Sequence, residues 1–96
     1  MAAYLIAFVK INDPTKFQEY AAAAGPTIAA AGGSVVARGK VMDMLAGNLN
    51  ADASLVAKFA SIAAAQAWYQ SPEYQALISL RDQAVTPTFV LIEEPT

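Results

Sequence analysis

The chain has 96 residues, 56% hydrophobic and 15% charged, with a net charge of −2 at pH 7 and neither cysteine nor histidine. That length fits one domain, residues 1–96, and the apolar content leaves few polar side chains to cover a lone subunit, which favours pairing with a second copy. Disulfides, thiolate nucleophiles, most zinc and haem ligation and the usual neutral-pH base are excluded, and the scattered Lys and Arg residues provide no stripe for nucleic acid.

In chain order, Ala2 to Val9 is apolar but lacks a basic leader, a small-residue cleavage site and the length of a membrane span. It therefore reads as a buried strand, Tyr4 to Ile11, of a protein expected in the cytoplasm. Asn12-Asp13-Pro14 closes it. Asp13 suits a helix N-cap and Pro14 the first helical position, where a missing N–H needs no partner. Phe17, Tyr20, Ala21, Ala24 and Ile28 follow at helical spacing and form one apolar stripe. Gly25-Pro26 is expected to kink or divide this helix, because an interior proline loses a hydrogen bond and crowds the preceding turn.

Gly32-Gly33 ends the helix and Ser34 to Val41 reads as a second strand. The turn formers Gly47, Asn48, Asn50 and Asp52 lead through an irregular loop to a third strand, Ser54 to Ala60. Ser61 caps a helix through Trp68 and Tyr69. Ser71-Pro72-Glu73 starts another, with Tyr74, Leu77, Ile78, Arg81 and Val85 on one side. Thr86-Pro87 ends it, and Thr88 to Glu93 reads as the fourth strand before a short polar tail.

Two β-α-β units joined by a strand pair give an α+β fold of order βαββαβ, a four-stranded antiparallel sheet with helices on one face. The second helix is broken in two. The first strand is apolar on both sides, with Leu5, Ala7, Val9 and Ile11 on one and Tyr4, Ile6, Phe8 and Lys10 on the other. A strand half-exposed to water alternates apolar and polar, whereas a continuous apolar run like this one is covered on both faces, so the sheet face opposite the helices is expected to meet a second subunit. Simple alternation assigns Val35, Ala37, Leu55, Ala57 and Phe59 to the helices and Val36, Arg38, Lys40, Val56 and Lys58 to the opposite face. There, cations beside aromatic rings either form an anion-binding cavity or carry their charges outward along the sheet.

The segment Ala64-Ala65-Gln66-Ala67-Trp68-Tyr69-Gln70-Ser71-Pro72-Glu73-Tyr74-Gln75, followed by Arg81, resembles the A-x-x-W-Y-x-S-x-x-Y signature of the domain-of-unknown-function family thirteen-thirty. Tyr4, Asp13-Pro14, Tyr20, Pro26, Gly33, Arg38-Gly39, Gly47 and Phe59 agree along nearly the whole chain. Lys40 and Lys58 depart from the family's pattern. The resemblance implies a ferredoxin-like subunit that dimerises sheet to sheet as a dimeric α+β barrel. That superfamily includes cofactor-free monooxygenases, muconolactone isomerases and haem-dependent enzymes, and of these haem is least compatible with a chain lacking histidine.

Candidate ligand-binding residues are Tyr4, Phe8, Tyr20, Arg38, Lys58, Trp68, Tyr69 and Arg81. Trp68, Tyr69 and Tyr74 either line a pocket mouth or anchor their helix in the core. Arg81 pairs with Glu73 or Asp82 or grips a ligand carboxylate. Tyr20 can donate a hydrogen bond or proton, and Arg38 can hold a carboxylate or enolate at two points. Asp43 and Asp52 either serve turns or supply a base. No phosphate loop, nucleophile elbow or metal-ligand spacing is present. The expected function is binding of a small anionic or aromatic molecule without cofactor or metal, in a cavity between helices and sheet containing Arg38, with cofactor-free catalysis. The alternative is a non-catalytic dimeric module.

Overall fold

The first apolar run forms strand β1 (Ala3–Ile11) in a computed structural model that describes residues 1–95. Thr96, the end of the expected polar tail, lies outside them. Helix α1 (Pro14–Ala30) begins as its residues require: the Asp13 carboxylate accepts the Lys16 N–H at 3.1 Å, and Pro14 occupies the first turn. At its other end Gly32, with φ of 81°, donates to the Ala29 carbonyl, while Gly33 donates to that of Ile28. This pair of bonds satisfies the last carbonyls of the helix and turns the chain sharply into β2 (Ser34–Lys40). Strand β3 (Ala53–Phe59), helices α2 (Ile62–Gln70), α3 (Pro72–Gln75) and α4 (Ile78–Ala84), and strand β4 (Val85–Glu93) complete the order.

The sheet runs β2-β3-β1-β4 with every neighbouring pair antiparallel, the ferredoxin-like arrangement expected from the sequence. Register places Leu5 between Ala57 and Leu91, and Ala7 between Leu55 and Phe89, on the face the helices cover. Tyr20, Ala24 and Ile28 of α1 and Ala65 and Trp68 of α2 bury themselves there with Phe59 and Tyr74. Full burial of a large side chain stabilises by about 1.5–3 kcal/mol, so this single layer carries much of the fold. On the opposite face Tyr4, Ile6 and Phe8 meet Lys58, Val56 and Ser54 on one side and Ile92, Val90 and Thr88 on the other.

Four local expectations are corrected. Helix α1 runs unbroken through Gly25-Pro26. Pro26 and Ala22, whose carbonyl it leaves without a partner, are both exposed, so water can take the lost bond while Tyr20, Ala24 and Ile28 hold the helix down. The break after Gln70 is present, but a further turn at Ala76–Leu77 separates α3 from α4. Strand β4 starts at Val85 and carries Thr86 and Pro87, because an edge strand tolerates a residue with no donor. The largest change is in β2, where the register slips between Val35 and Ala37. This bulge pairs Ala37 with Val56 and Arg38 with Leu55, exchanging the faces that alternation assigns to them. No helix among the described residues is long and apolar enough to cross a membrane.

Candidate functional site

Two serines shape the site. Ser61 caps α2 by accepting the Ala64 N–H at 3.1 Å. Ser71 ends that helix and starts the next: its hydroxyl donates to the Trp68 carbonyl at 2.7 Å and accepts the Tyr74 N–H at 3.3 Å. Pro72 then fixes the first turn of α3. The resulting corner folds Tyr74 back under α2, with ring centroids 4.5 Å from Trp68 and 5.2 Å from Tyr69. A straight helix would have sent these rings apart.

Arg81 of α4 reaches into the same corner and is only 8% exposed. Its Nη1 donates to the Tyr69 hydroxyl at 2.9 Å and the Tyr74 hydroxyl at 3.3 Å, and its Nε to Asp82 at 3.0 Å. The guanidinium carbon lies 5.5 Å from the Phe89 ring centroid and 5.8 Å from that of Tyr69. Behind Tyr74, the Tyr20 hydroxyl closes a 2.6 Å hydrogen bond. Trp68 is tied separately, donating from Nε1 to Thr27 at 2.9 Å, while Thr27 donates to the Ala24 carbonyl.

Between α2, α4 and the β1–β4 side of the sheet lies a cavity of about 360 Å³, lined by Leu5, Gln66, Trp68, Tyr69, Arg81, Phe89 and Leu91 among others. Its volume is within the range of small-molecule pockets, roughly 300–1,000 Å³. Arg81 spends Nε and Nη1 on the protein, and no buried side-chain nitrogen or oxygen among the described residues lacks a partner. Nη2 is the guanidinium nitrogen outside these bonds, and Arg81 lines the cavity. Tyr69 accepts from Arg81 and retains its own hydroxyl hydrogen.

The electrostatics keep this arrangement in one charge state. Burial opposes the charge on Arg81, but the hydrogen bonds it donates to Tyr69, Tyr74 and Asp82 outweigh it and hold the group more firmly cationic than usual. Burial pushes the Tyr20 phenol up, reinforced by its bond to Tyr74. Burial raises Tyr74 as well, with Tyr20 and Arg81 pulling part of the way back. The corner thus combines a fixed cation at the cavity with the neutral phenols of Tyr20 and Tyr74 behind it, and such a cation is suited to receiving an anion.

Of the residues expected to bind a ligand, Trp68, Tyr69 and Arg81 line the cavity and Tyr20 stands behind it. Tyr4, Phe8 and Lys58 lie on the opposite face of the sheet, with Lys58 Nζ 5.9 Å from the Tyr4 ring and the Tyr4 hydroxyl donating to Glu94. The Glu94 bond holds the Tyr4 phenol above its ordinary value. Arg38 is exposed on edge strand β2 and does not line the cavity, contrary to expectation. The bulge in β2 also separates Arg38 from Lys58, so the mixed cation cluster expected from alternation does not form. The cation that lines the cavity is Arg81, whose acidic neighbour is Asp82 rather than Glu73.

Sequence reasoning passed over Phe89, Leu91, Gln66 and Gln70, whose only signal is that they fall on faces shared with Leu5 and Tyr69. Asp52 serves structure: it accepts the Ile11 N–H at 2.7 Å and lies 3.6 Å from Lys10. Among the described residues no cluster of three acidic side chains could hold a metal ion.

A family model described as domain of unknown function (DUF1330) matches residues 2–95. No curated protein matches the sequence. In structure the chain is similar to a protein of unknown function from Rhodopseudomonas palustris, at 21% identity over 99% of this chain and 83% of that one, with a TM-score of 0.78. It is similar to a dimeric ferredoxin-like protein of unknown function from Thermobifida fusca, at 21% identity over 96% and 90% of the chains and a TM-score of 0.67. SnoaB, a cofactor-independent oxygenase from Streptomyces nogalater, shares the fold at 11% identity, 99% and 94% coverage and a TM-score of 0.73. At these identities the likeness is one of fold.

Proposed function

The chain belongs to the DUF1330 family, and from that premise we propose that it is a homodimer whose subunits each bind a small organic anion between the helices and the sheet. One observation carries the binding half: Arg81 is a buried cation that lines an aromatic-walled cavity together with Tyr69, and its bonds to the protein use Nε and Nη1. A carboxylate or enolate in that position would replace water on both donors and gain charge-assisted hydrogen bonds at low dielectric.

The pairing half is supported by the sheet face away from the helices. Ile6, Phe8 and Val56 are half-buried, and Val90 and Ile92 are 47% and 53% exposed. Lys10 and Lys58 mark its ends. An apolar centre with a charged rim is the anatomy of a protein interface, and the likeness to a solved protein described as dimeric supports the same reading.

As chemistry, cofactor-free oxygenation or isomerisation is the class to test first, in keeping with the fold shared with SnoaB. Arg81 and Tyr69 would stabilise an enolate or enolate-like transition state. Among the described residues no carboxylate lines the cavity, so the substrate would have to be acidic enough to ionise without a protein carboxylate as base. A cytoplasmic setting belongs to the same proposal, and fractionation of cells checks it.

Binding is tested by thermal shift with benzoate. Ligand at a hundred times its Kd adds about 2.7 kcal/mol. Tyr69→Phe keeps the ring and Arg81→Lys keeps the charge, and each should shrink the shift by removing one donor of the pair. Shifts that are unchanged in both variants would remove this site from consideration.

A further inference from the structure

The cavity is longer than an anion alone requires, and its direction follows from the topology. Strand β4 leaves α4 at Val85, opposite Ile11, and ends at Glu93, opposite Ala3. Helix α2 starts just after Phe59, which also lies opposite Ala3, so it runs back along β4 from the Glu93 end towards the Val85 end. The lining residues Pro87, Phe89 and Leu91 are alternate positions on one face of β4. At about 3.3 Å per residue they mark out roughly 13 Å in all, of which about 7 Å runs from Phe89, beside Arg81, to Leu91. Gln66 and Gln70, one helical turn apart on α2, line the other side.

The ends differ in character. Arg81 supplies the buried cation beside Phe89 and Tyr69, whereas Leu91 at the far end is 36% exposed, and on the α2 side Gln66 and Gln70 are both exposed, so the cavity opens to water at its far end and along α2. Between them the walls are Trp68, Tyr69, Phe89 and Leu5. A rigid planar body loses less conformational freedom than an alkyl chain and meets aromatic walls with its faces and edges.

Resting on the anion-binding reading above, we infer that the ligand is an elongated aryl monoacid, more than one ring long, with its acid group at Arg81 and its far end emerging between Leu91 and Gln66. Length is then part of recognition. The Arg81 end fixes the acid and the Phe89–Leu91 wall rewards a second ring.

Calorimetric titration of the wild-type protein with benzoate, biphenyl-4-carboxylate and decanoate tests this, together with Leu91→Trp, which fills the far end. The second ring should tighten binding about tenfold or more, from the added apolar contact. In Leu91→Trp the ratio of the two aryl-acid affinities should fall to about one, whatever the change in benzoate affinity itself, with circular dichroism reporting an intact fold. Should Leu91→Trp not fold, Leu91→Gln carries the same comparison by removing apolar wall. Equal affinity for the two aryl acids, or a gain that survives both variants, overturns the inference and leaves the anion site standing. Tighter binding of decanoate replaces the aryl class with a flexible one and equally overturns it. If no acid binds the wild-type protein, the anion-binding reading itself falls.

Discussion

Replacing Gly33 by alanine should destabilise the protein, although the change is a single methyl group. A Cβ built there would lie 2.7 Å from Phe59 Cε1 and 2.9 Å from Ile28 Cγ2, where carbon pairs normally rest at about 3.5–4.0 Å. Phe59 is 1% exposed and packs against Trp68 at a centroid distance of 5.6 Å, while Ile28 is 4% exposed. Neither has free space to retreat into. Overpacking of this kind costs about 1–3 kcal/mol, and for a domain of this size each kcal/mol lowers Tm by roughly 4–8 °C. The control is Gly39→Ala in β2, where nothing lies within 4 Å of the new carbon. It should gain about 0.5–1 kcal/mol, because alanine loses less backbone freedom on folding. Urea unfolding of both variants at one protein concentration compares them, since a self-associating protein has a concentration-dependent midpoint. Trp68 is the sole tryptophan, so its fluorescence reports whether the Phe59 ring has moved against it. Equal midpoints for the two variants, or a Gly33→Ala protein with unaltered Trp68 emission, would refute the packing argument.

Tyr74→Phe removes the hydroxyl that joins Tyr20 to Arg81 and should cost about 1–3 kcal/mol in chemical denaturation, since it leaves buried polar atoms without a partner. In a double-mutant cycle with Tyr20→Phe, the second change should add little to the first. Thr27→Val takes the acceptor from Trp68 Nε1 and should lower stability by about 1–2 kcal/mol with a shift of tryptophan emission. The raised phenols of Tyr20 and Tyr74 set a sign for alkaline pH. The unfolded chain releases their protons near the ordinary value of 10.0 while the folded chain keeps them, so stability is fully present below that pH and falls above it. Thermal unfolding as a function of pH should show this decline, shallower in Tyr20→Phe. Ile6→Lys places a charge at the centre of the open sheet face and should convert a dimer to a monomer in sedimentation, with the cavity on the other face retained.

Much of the secondary structure was legible because single residues carry strong local preferences. Asp13, Ser61 and Ser71 each cap the helix that follows them, and the doubly apolar β1 stands at the centre of the sheet with a strand on either side. The exceptions share a cause. Pro26 stays inside α1 because it and Ala22, whose carbonyl it frees, are both exposed, and Pro87 stays inside β4 because the strand is an edge. Both depend on what surrounds the residue, which a local rule does not include. The bulge in β2 is a further case: it shifts the pairing with β3 by one residue and moves Arg38 to the other face, with no glycine or proline at Val35–Ala37 to announce it.

The candidate site divides along the same line. Trp68, Tyr69, Ser71, Tyr74 and Arg81 stand out in the sequence as one motif-bearing stretch. That stretch also encodes the capped corner that gathers its rings, because Ser71 and Pro72 act on their immediate neighbours. That a self-pairing βαββαβ chain was expected at all follows from local periodicity and apolar content. Which cation faces the cavity was decided only in three dimensions. Arg38 and Arg81 look alike as residues, but α4 delivers Arg81 between Tyr69, Tyr74 and Phe89, where hydrogen bonds offset its burial, and the bulged edge strand leaves Arg38 in water.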